Sequence, residues 1–278
     1  MNRGKGSLTR MRIGGQYGYT IVEVLIFLAV SAVLFASTMA LLSGRQQRVH
    51  FTNVVRDFET KLTDVANDVS NGYYQSAGNV TCDNALTIGV SASKTQGTNN
   101  ECIMLGRVIK FGYDTGGERF GIYSLVGRRQ AAGKDVKNIG ESGLALLWVS
   151  GANDDTKQSF REQRNVGFGA SIRCVAVGNS CTPGGNNGAL AFVTRLTGGA
   201  QPSASGGTIF ADAYLYDQLA LTASEDNFVA HVNSTTPVSL TQPLVICLRS
   251  GGTNQHALVK LMNGRVTSEI KEGAALCN

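Results

Sequence analysis

The 278-residue sequence has little proline and no periodic glycine. Only four prolines occur, and none precedes Pro183. Glycine is abundant, with 34 residues, but it follows no triplet repeat, which excludes a collagen-like chain. The glycines instead form short polar clusters between apolar runs, as the turns of a β-rich domain do.

The sequence also lacks the patterns that usually mark a catalytic or metal centre. Its three histidines, His50, His231 and His256, are scattered and have no metal-ligand spacing. No nucleophile-elbow, zinc-protease, phosphate-loop or dinucleotide motif occurs in a supporting context. Asp154-Asp155 lies in a polar loop that offers too few oxygen ligands for calcium. We therefore expect no metal, no cofactor and no enzymatic activity.

Acidic residues are missing from the first 18 residues, MNRGKGSLTRMRIGGQYG, which carry four basic side chains. The formal net charge of the whole chain is +5, and removing these four charges leaves +1. A nearly neutral remainder argues against general nucleic-acid binding. A basic segment ahead of an apolar run is instead typical of a leader that stays in the cytoplasm.

An apolar run, YTIVEVLIFLAVSAVLFASTMALL, extends from Tyr19 to Leu42 and contains one charged residue, Glu23. As a helix, it can cross the hydrocarbon core of a membrane, which is about 30 Å thick. A secretory signal peptide cut near Ala36 or Ala40 is one alternative, but its apolar region would be shorter. A plain signal anchor is another, but it leaves Glu23 unexplained, since a carboxylate in a membrane helix is costly and usually functional.

The segment GYTIVEVLIFLAV, which begins at Gly18, resembles the type III signal of type IV prepilins and type II secretion pseudopilins. That family has a basic leader ending in Gly, an aromatic or apolar first mature residue, and Glu as the fifth. The resemblance implies that a membrane-embedded prepilin peptidase cleaves after Gly18 and methylates the new amino group of Tyr19. Residues 1–18 would then be the leader peptide.

The resemblance also gives Glu23 a role in assembly. It implies that this carboxylate meets the N-terminal amine of a neighbouring subunit and sets the register of a filament. The physical reason is that an opposite charge offsets part of the cost of a carboxylate in apolar surroundings. The alternative is that Glu23 only interacts favourably with the helix dipole.

Beyond Leu42 the helical pattern continues but becomes amphipathic. Apolar residues recur at helical spacing from Phe51 to Val69, and Asn71-Gly72 is a helix C-cap signal. We expect one helix from Tyr19 to about Asn71, roughly 80 Å long at 1.5 Å per residue. Residues 19–42 would be transmembrane and residues 43–72 amphipathic. Ser43-Gly44 is the weak point, either a tolerated exit from the membrane or a place where the helix melts in a filament.

Residues 73–278 are predicted to form a soluble, β-rich globular domain, in which apolar runs of strand length alternate with turn-rich segments. The runs lie at 103–111, 119–126, 144–149, 172–177, 190–196, 243–248, 257–262 and 265–270. Met262-Asn263-Gly264-Arg265 predicts a two-residue hairpin, and a helix is predicted near Asp212–Ala223. The predicted fold class is α+β, with the long N-terminal helix packed on an antiparallel sheet, as in the pilin fold.

All six cysteines follow the apolar run, and none forms a C-x-x-C motif. An even number in an exported domain predicts disulfide bonds, with buried free thiols as the alternative. Proximity in the sequence favours the pairings Cys82–Cys102, Cys174–Cys181 and Cys247–Cys277.

The stretch CLRSGGTNQHALVKLMNGRVTSEIK is similar to the closing hairpin of the GspH/FimT group of pseudopilins and minor pilins. Four basic residues cluster around this hairpin: Arg249, Lys260, Arg265 and Lys271. They are candidate contacts for DNA or another ligand, because alternate residues of a strand share a face. The alternative is that an edge strand carries basic residues to discourage aggregation.

Together these patterns predict a structural subunit of a type IV pilus or a type II secretion pseudopilus. The large soluble part and the lack of proline near the membrane exit favour a minor pilin. Expected partners are other pilin subunits, prepilin peptidase, the inner-membrane assembly platform and the cytoplasmic membrane. The chain would cross that membrane once, with its C-terminal domain extracytoplasmic, and later join an extracellular or periplasmic filament. The alternative is a membrane-anchored binding or adhesion module, with DNA as one ligand.

Overall fold

The computed structural model describes residues 18–72, 80–83, 85–90, 102–112, 116–136, 139–149, 161–178, 188–194, 211–216, 219, 223–262 and 265–273. The chain divides into two compact units, Met1–Gln46 and Gln47–Asn278. Two further short helices and fifteen strands lie in the described part of the second unit.

The helix α1 runs from Ile21 to Ser70, close to the range that the apolar pattern predicts. It begins at Ile21 because the hydroxyl of Thr20 accepts the backbone N–H of Glu23 at 3.3 Å and caps the first turn. At its other end, Gly72 has a φ of 67°, the left-handed conformation that commonly closes a helix.

The other elements follow in chain order. The helices are α2 (Ile139–Ser142) and α3 (Glu225–Ser234). The strands are β1 (Val80–Cys82), β2 (Ile88–Val90), β3 (Cys102–Lys110), β4 (Arg119–Arg128), β5 (Gln130–Ala131), β6 (Lys134–Asp135), β7 (Ala145–Leu146), β8 (Arg161–Asn165), β9 (Ser171–Val177), β10 (Ala189–Thr194), β11 (Ala211–Tyr216), β12 (Val238–Ser239), β13 (Leu244–Arg249), β14 (Gln255–Met262) and β15 (Arg265–Glu272).

Two antiparallel sheets form the body of the second unit. The first sheet has the order β12-β11-β10-β3-β4-β7, and β8 pairs with the first half of β4, on the same edge that β7 uses farther along. The second sheet has the order β15-β14-β13-β9. The N-terminal helix and these sheets confirm the α+β class.

The main core lies between the second half of α1 and both sheets. Seven apolar residues of the helix are buried there: Phe51, Val54, Val55, Phe58, Leu62, Val65 and Val69. Residues such as Phe120 and Phe192 join them from the first sheet, and Ile246 and Val259 join them from the second. We expected one sheet against the helix. The structure has two. The sequence could not predict this, because no local pattern in a strand indicates which other strands share its sheet.

A second core covers the opposite face of the first sheet. There α3 contributes Phe228 and Val232, and Tyr123 and Trp148 pack beside them with their ring centroids 6.1 Å apart. Alternation along each strand produces both cores, since Ile122 faces α1 whereas Tyr123 faces α3.

Each predicted apolar run overlaps a strand, although in the run at 144–149 the strand covers two residues. The hairpin prediction is confirmed by the pairing of Met262 with Arg265, while Asn263-Gly264 lies outside the described residues. The helix predicted near Asp212–Ala223 is wrong. Residues 211–216 form β11 between β10 and β12, and the helix starts only at Glu225, where Ser224 caps it.

The pairing Cys82–Cys102 is confirmed and joins β1 to β3. Cys174 and Cys247 are also disulfide-bonded, and none of the described cysteines is a free thiol. Cys181 and Cys277 lie outside the described residues, so Cys174–Cys181 and Cys247–Cys277 stay predictions.

Candidate functional site

The segment Ile21–Met39 is long and apolar enough to cross a membrane, with a mean hydropathy of 2.4. None of its length is buried within the protein. Its polar side chains are satisfied locally, since the hydroxyls of Ser37 and Thr38 donate to backbone carbonyls one turn back, at 2.8 and 3.1 Å. The segment therefore has the length and composition of a single membrane span.

The predicted processing residues lie directly before this segment. Gly18 and Tyr19 precede the first helical residue, and the side chain of Tyr19 is 79% exposed. An added Cβ at Gly18 would meet no atom within 4 Å. Among the described residues, neither Gly18 nor the Tyr19 side chain is therefore packed against another part of the chain.

Glu23 lies in the first turn of α1, four residues after Tyr19. Thr20 and Glu23 also have the spacing of a capping box, in which a hydroxyl and an acid cap the first turn. The arrangement leaves the carboxylate near the place where cleavage after Gly18 would create an amine. It equally supports the simpler role of Glu23 at the helix N-terminus, because negative charge there favours the helix dipole.

The structure brings the four predicted basic residues onto one face of the second sheet. In β13, β14 and β15, Ile246, Val259 and Ile270 face the core with α1. Arg249, Lys260, Arg265 and Lys271 occupy positions of opposite parity and so lie on the outer face. Register places Arg249 opposite His256, which lies opposite Lys271.

The charge of this outer face is not purely basic. Glu269 accepts a bond of 2.6 Å from Lys271. That hydrogen bond, with a further contribution from the charge of Lys260, holds the pKa of Glu269 below its ordinary value. His256 is buried there, and its Nδ1 has no hydrogen-bond partner among the described residues. Val245, Cys247 and Leu258 of the same face are buried, so the exposed charges, with a cationic excess, lie around a covered apolar centre.

A cluster of partly buried charges, which the sequence analysis missed, lies behind the first sheet. Glu225 accepts hydrogen bonds from Arg161 at 2.6 Å and from the Tyr123 hydroxyl at 2.8 Å. Lys110 lies nearby, 1% exposed, with its ammonium 6.0 Å from the ring centroid of Phe228. Burial lowers the pKa of Lys110, and the charge of Glu225 partly opposes that shift.

An ion pair that the sequence analysis also did not predict joins the end of α1 to the first sheet. Arg107 donates to Asp68 at 2.9 Å, and only 6% of the arginine side chain is exposed. Glu162 lies farther from the same guanidinium, at 4.0 Å. The signal in the sequence was the presence of two cations, Arg107 and Lys110, inside an otherwise apolar strand.

An open cavity of about 360 Å³ lies beside the loop from Val166 to Ala170. Glu118, Arg119 and Asn165 line it together with Gly167–Ala170. The side chain of Phe168 is 73% exposed at the tip of this loop and stacks on His50, with ring centroids 4.8 Å apart.

Within the described ranges, no group of three or more histidine, cysteine or acidic side chains is placed to hold a metal ion. Asp154-Asp155 lies outside those ranges. The chain matches no family model, no curated protein and no solved structure. Its function must therefore be inferred from its own residues.

Proposed function

We propose that the chain is a subunit of the type IV pilin and pseudopilin class, made as a precursor and assembled into a filament through its apolar helix. A minor pilin is the specific form that we favour. Prepilin peptidase would remove residues 1–18 and methylate Tyr19. The role is structural rather than catalytic.

One observation carries this proposal. An exposed Gly-Tyr bond is followed at once by an unburied apolar helix whose first turn holds a single carboxylate, Glu23. A membrane anchor alone has no need of that carboxylate, which is costly in hydrocarbon. An amine created at Tyr19, on this chain or on a neighbour, would offset the cost.

The second half of α1 adds support. It buries an apolar stripe against antiparallel strands, as the resemblance to pilins implies, although these strands belong to two sheets rather than one. The disulfide Cys82–Cys102 suits an oxidising, extracytoplasmic location.

The first experiment tests processing. The chain is expressed with and without a prepilin peptidase, and the intact mass and N-terminal residue of the membrane-extracted protein are determined. We expect N-methyl-tyrosine at position 19 with the peptidase, and an intact leader for Gly18→Val, in which a branched side chain blocks the cleavage position. A leader that stays uncut in wild type with active peptidase would contradict the proposal.

The second experiment tests assembly. Glu23→Gln keeps the size of the side chain but removes its charge, so we expect cleavage to continue and incorporation into filaments to fall strongly. Glu59→Gln, on the amphipathic half of α1, is the matched control and should assemble as wild type does. Equal incorporation of both variants would favour a membrane-tethered module that does not polymerise.

The shared face of Arg249, Lys260, Arg265 and Lys271 favours one alternative function, binding of DNA at the exposed surface of a filament or tether. Phosphate contacts make affinity fall with salt, by about one unit of log-log slope for each contact. Lys260→Gln combined with Arg265→Gln should then weaken DNA binding and flatten the salt dependence. Arg56→Gln combined with Lys134→Gln is the control of equal charge change. Equal effects of the two pairs would assign the basic face to solubility.

A further inference from the structure

The open cavity of the second unit combines polar side chains with an exposed aromatic ring. Its volume of about 360 Å³ lies at the lower end of the range for small-molecule sites, about 300–1,000 Å³. All of its lining residues belong to the second unit, and they are Glu118, Arg119, Asn165 and the loop Gly167–Ala170. The cavity therefore has the size and the mixed lining of a site for a small ligand.

The polar side of the cavity is built by the start of β4 and the end of β8. Register places Arg119 directly opposite Asn165, and paired residues of two strands point to the same side of a sheet. Phe120, the next residue of β4, is buried in the main core, so these two exposed side chains point away from that core. Glu118, which precedes β4, is exposed as well. A guanidinium, an amide and a carboxylate thus offer both donors and acceptors of hydrogen bonds.

The aromatic side of the cavity is Phe168. Its ring stacks on His50, with the centroids 4.8 Å apart and the planes inclined by 26°. Phe168 is nevertheless 73% exposed, the highest value among the described large apolar residues of the second unit. A ring that is stacked on one face and is still so exposed keeps its other face open to a ligand.

The backbone holds Phe168 in this position at a conformational cost. Its φ is 45°, and its neighbours Gly167 and Gly169 have φ values of 104° and 66°. Glycine adopts such values readily, whereas a bulky residue rarely does. The N–H of Ala170 donates to the Gly167 carbonyl at 2.9 Å, and a Cβ added at Gly251 would lie 2.4 Å from the Gly169 carbonyl oxygen. Residues that the surrounding structure holds in such conformations are common in ligand sites.

This combination of groups suits a neutral ligand that is rich in hydroxyl groups. A sugar ring has C–H bonds on its faces, which can pack on an aromatic ring, and hydroxyls around its edge, which donate and accept hydrogen bonds. Glu118 would repel an anionic ligand and Arg119 a cationic one, whereas hydroxyls can bond to both side chains. An entirely apolar ligand would cover the polar groups without giving them partners.

We propose that the cavity binds a carbohydrate, with one sugar ring stacked on the open face of Phe168 and its hydroxyls bonded to Glu118, Arg119 and Asn165. The inference goes beyond the proposed function, because it adds a glycan ligand to a subunit whose assembly depends on other residues. It requires neither cleavage after Gly18 nor filament formation.

The test uses the full chain in micelles of deuterated dodecylphosphocholine, a detergent without a sugar group. Saturation-transfer NMR measures binding of the methyl glycosides of glucose, galactose, mannose, fucose and N-acetylglucosamine, each titrated to about 50 mM. We expect at least one glycoside to bind with a Kd in the millimolar range. The transferred saturation should be strongest on the C–H groups of one face of the sugar.

Four variants with one conservative replacement locate the binding. Phe168→Ala removes the stacking surface and should weaken binding about tenfold, whereas Phe168→Tyr keeps an aromatic ring and should preserve it. Val238→Ala, at another exposed apolar position, is the control and should bind as wild type does. Asn165→Ala should weaken binding about threefold to tenfold, while Gln163→Ala, at an exposed amide of the same strand, should not. Near-ultraviolet circular dichroism checks that each variant is folded.

The outcomes decide for or against the cavity. Absence of saturation transfer from the wild-type chain to all five glycosides would overturn the proposal. Binding that neither Phe168→Ala nor Asn165→Ala changes would also overturn it, because the sugar would then lie elsewhere. If Phe168→Ala does not fold, the comparison of Asn165→Ala with Gln163→Ala gives the answer alone. A photo-crosslinking amino acid at position 168 that joins two copies of the chain, without any sugar binding, would assign the ring to a subunit contact instead.

Discussion

The two halves of α1 differ in how they use apolar side chains. In Ile21–Met39 apolar residues cover the whole circumference, and none of the segment is buried within the protein. Between Phe51 and Val69 apolar residues occupy one stripe, and that stripe is buried in the main core. The comparison teaches that the total hydrophobicity of a helix does not tell where it will be buried. The distribution of apolar residues around the helix does.

The largest expected difference is between two variants that each truncate one phenylalanine of α1, one in each half. Phe58 is fully buried and packs edge-on against Phe120, with ring centroids 5.5 Å apart. Phe58→Ala should lower the free energy of unfolding by about 3–5 kcal/mol. Phe27→Ala, in the exposed segment, should leave it unchanged. Urea unfolding in detergent, followed by near-ultraviolet circular dichroism, measures both. Equal losses of unfolding free energy in the two variants would contradict the claim that only the second half of α1 is buried in the core.

The partly buried charges around Glu225 are expected to stabilise the fold, but by less than the apolar core does. Glu225→Gln weakens the bonds to Arg161 and Tyr123 and should cost about 2–3 kcal/mol, less than a fully buried ion pair because both side chains keep some exposure. Tyr123→Phe, which removes one hydroxyl, should cost about 1 kcal/mol. A loss for Glu225→Gln no greater than that for Tyr123→Phe would mean that the charge itself contributes nothing.

The same cluster predicts a dependence on pH. Burial lowers the pKa of Lys110, whereas in the unfolded chain it stays near 10.5. Between those two values the unfolded chain binds more protons, so the contribution of this group to stability rises with pH. Because the charge of Glu225 raises the pKa of Lys110, Glu225→Gln should move the start of the rise to lower pH. Unfolding measured from neutral pH to pH 10.5 checks this, and Lys110→Met should remove the rise.

A smaller effect is expected from the ion pair at the end of α1. Asp68→Ala removes the carboxylate that lies 2.9 Å from the buried Arg107 and should cost about 2 kcal/mol. Asp57→Ala breaks a pair with Lys61 in which the carboxylate is exposed, and it should cost less, about 0.5 kcal/mol. Thermal unfolding of the two variants compares them directly. Similar losses would show that burial adds nothing to the Asp68 pair.

The smallest effect concerns the start of the exposed half. Thr20→Ala removes the hydroxyl that caps Glu23 and should weaken the first turn by about 1 kcal/mol. Thr60→Ala removes a hydroxyl bonded within the helix and should have little effect, since alanine is the better helix former. Hydrogen exchange of the amides of residues 22–24 in detergent micelles is the measurement. Unchanged exchange in Thr20→Ala would contradict the capping role.

Much of the architecture was predictable from local patterns. The end of α1 follows from its apolar stripe and from the cap signal Asn71-Gly72, because capping and periodicity act over a few residues. The predicted start at Tyr19 was two residues early, since the cap at Thr20 was not considered. Most strands follow from short apolar runs. The strand β8 was missed, because its residues, Arg161–Asn165, are all polar and their pairing with β4 decides the conformation. The helix predicted near Asp212–Ala223 failed for the same reason, since pairing with β10 makes residues 211–216 a strand.

Some candidate functional residues could be identified from the sequence, and others only from the structure. Gly18, Tyr19 and Glu23 could be chosen from the sequence, because they were selected as members of a motif that is defined by residue order alone. That Arg249, Lys260, Arg265 and Lys271 share a face was only a suggestion until the register of three strands was known. Glu225 gave no signal at all, since its partners Arg161 and Tyr123 are distant in sequence.

The sequence by itself determined that the chain has an apolar span with one early carboxylate and an amphipathic continuation, since these properties follow from residue order alone. Tertiary structure decided that two sheets rather than one cover the helix. It also decided that charges are buried behind the first sheet and that Phe168 projects beside His50. Each of these depends on contacts between residues far apart in the chain, and such contacts form only when burial of a whole core outweighs the entropy of ordering it.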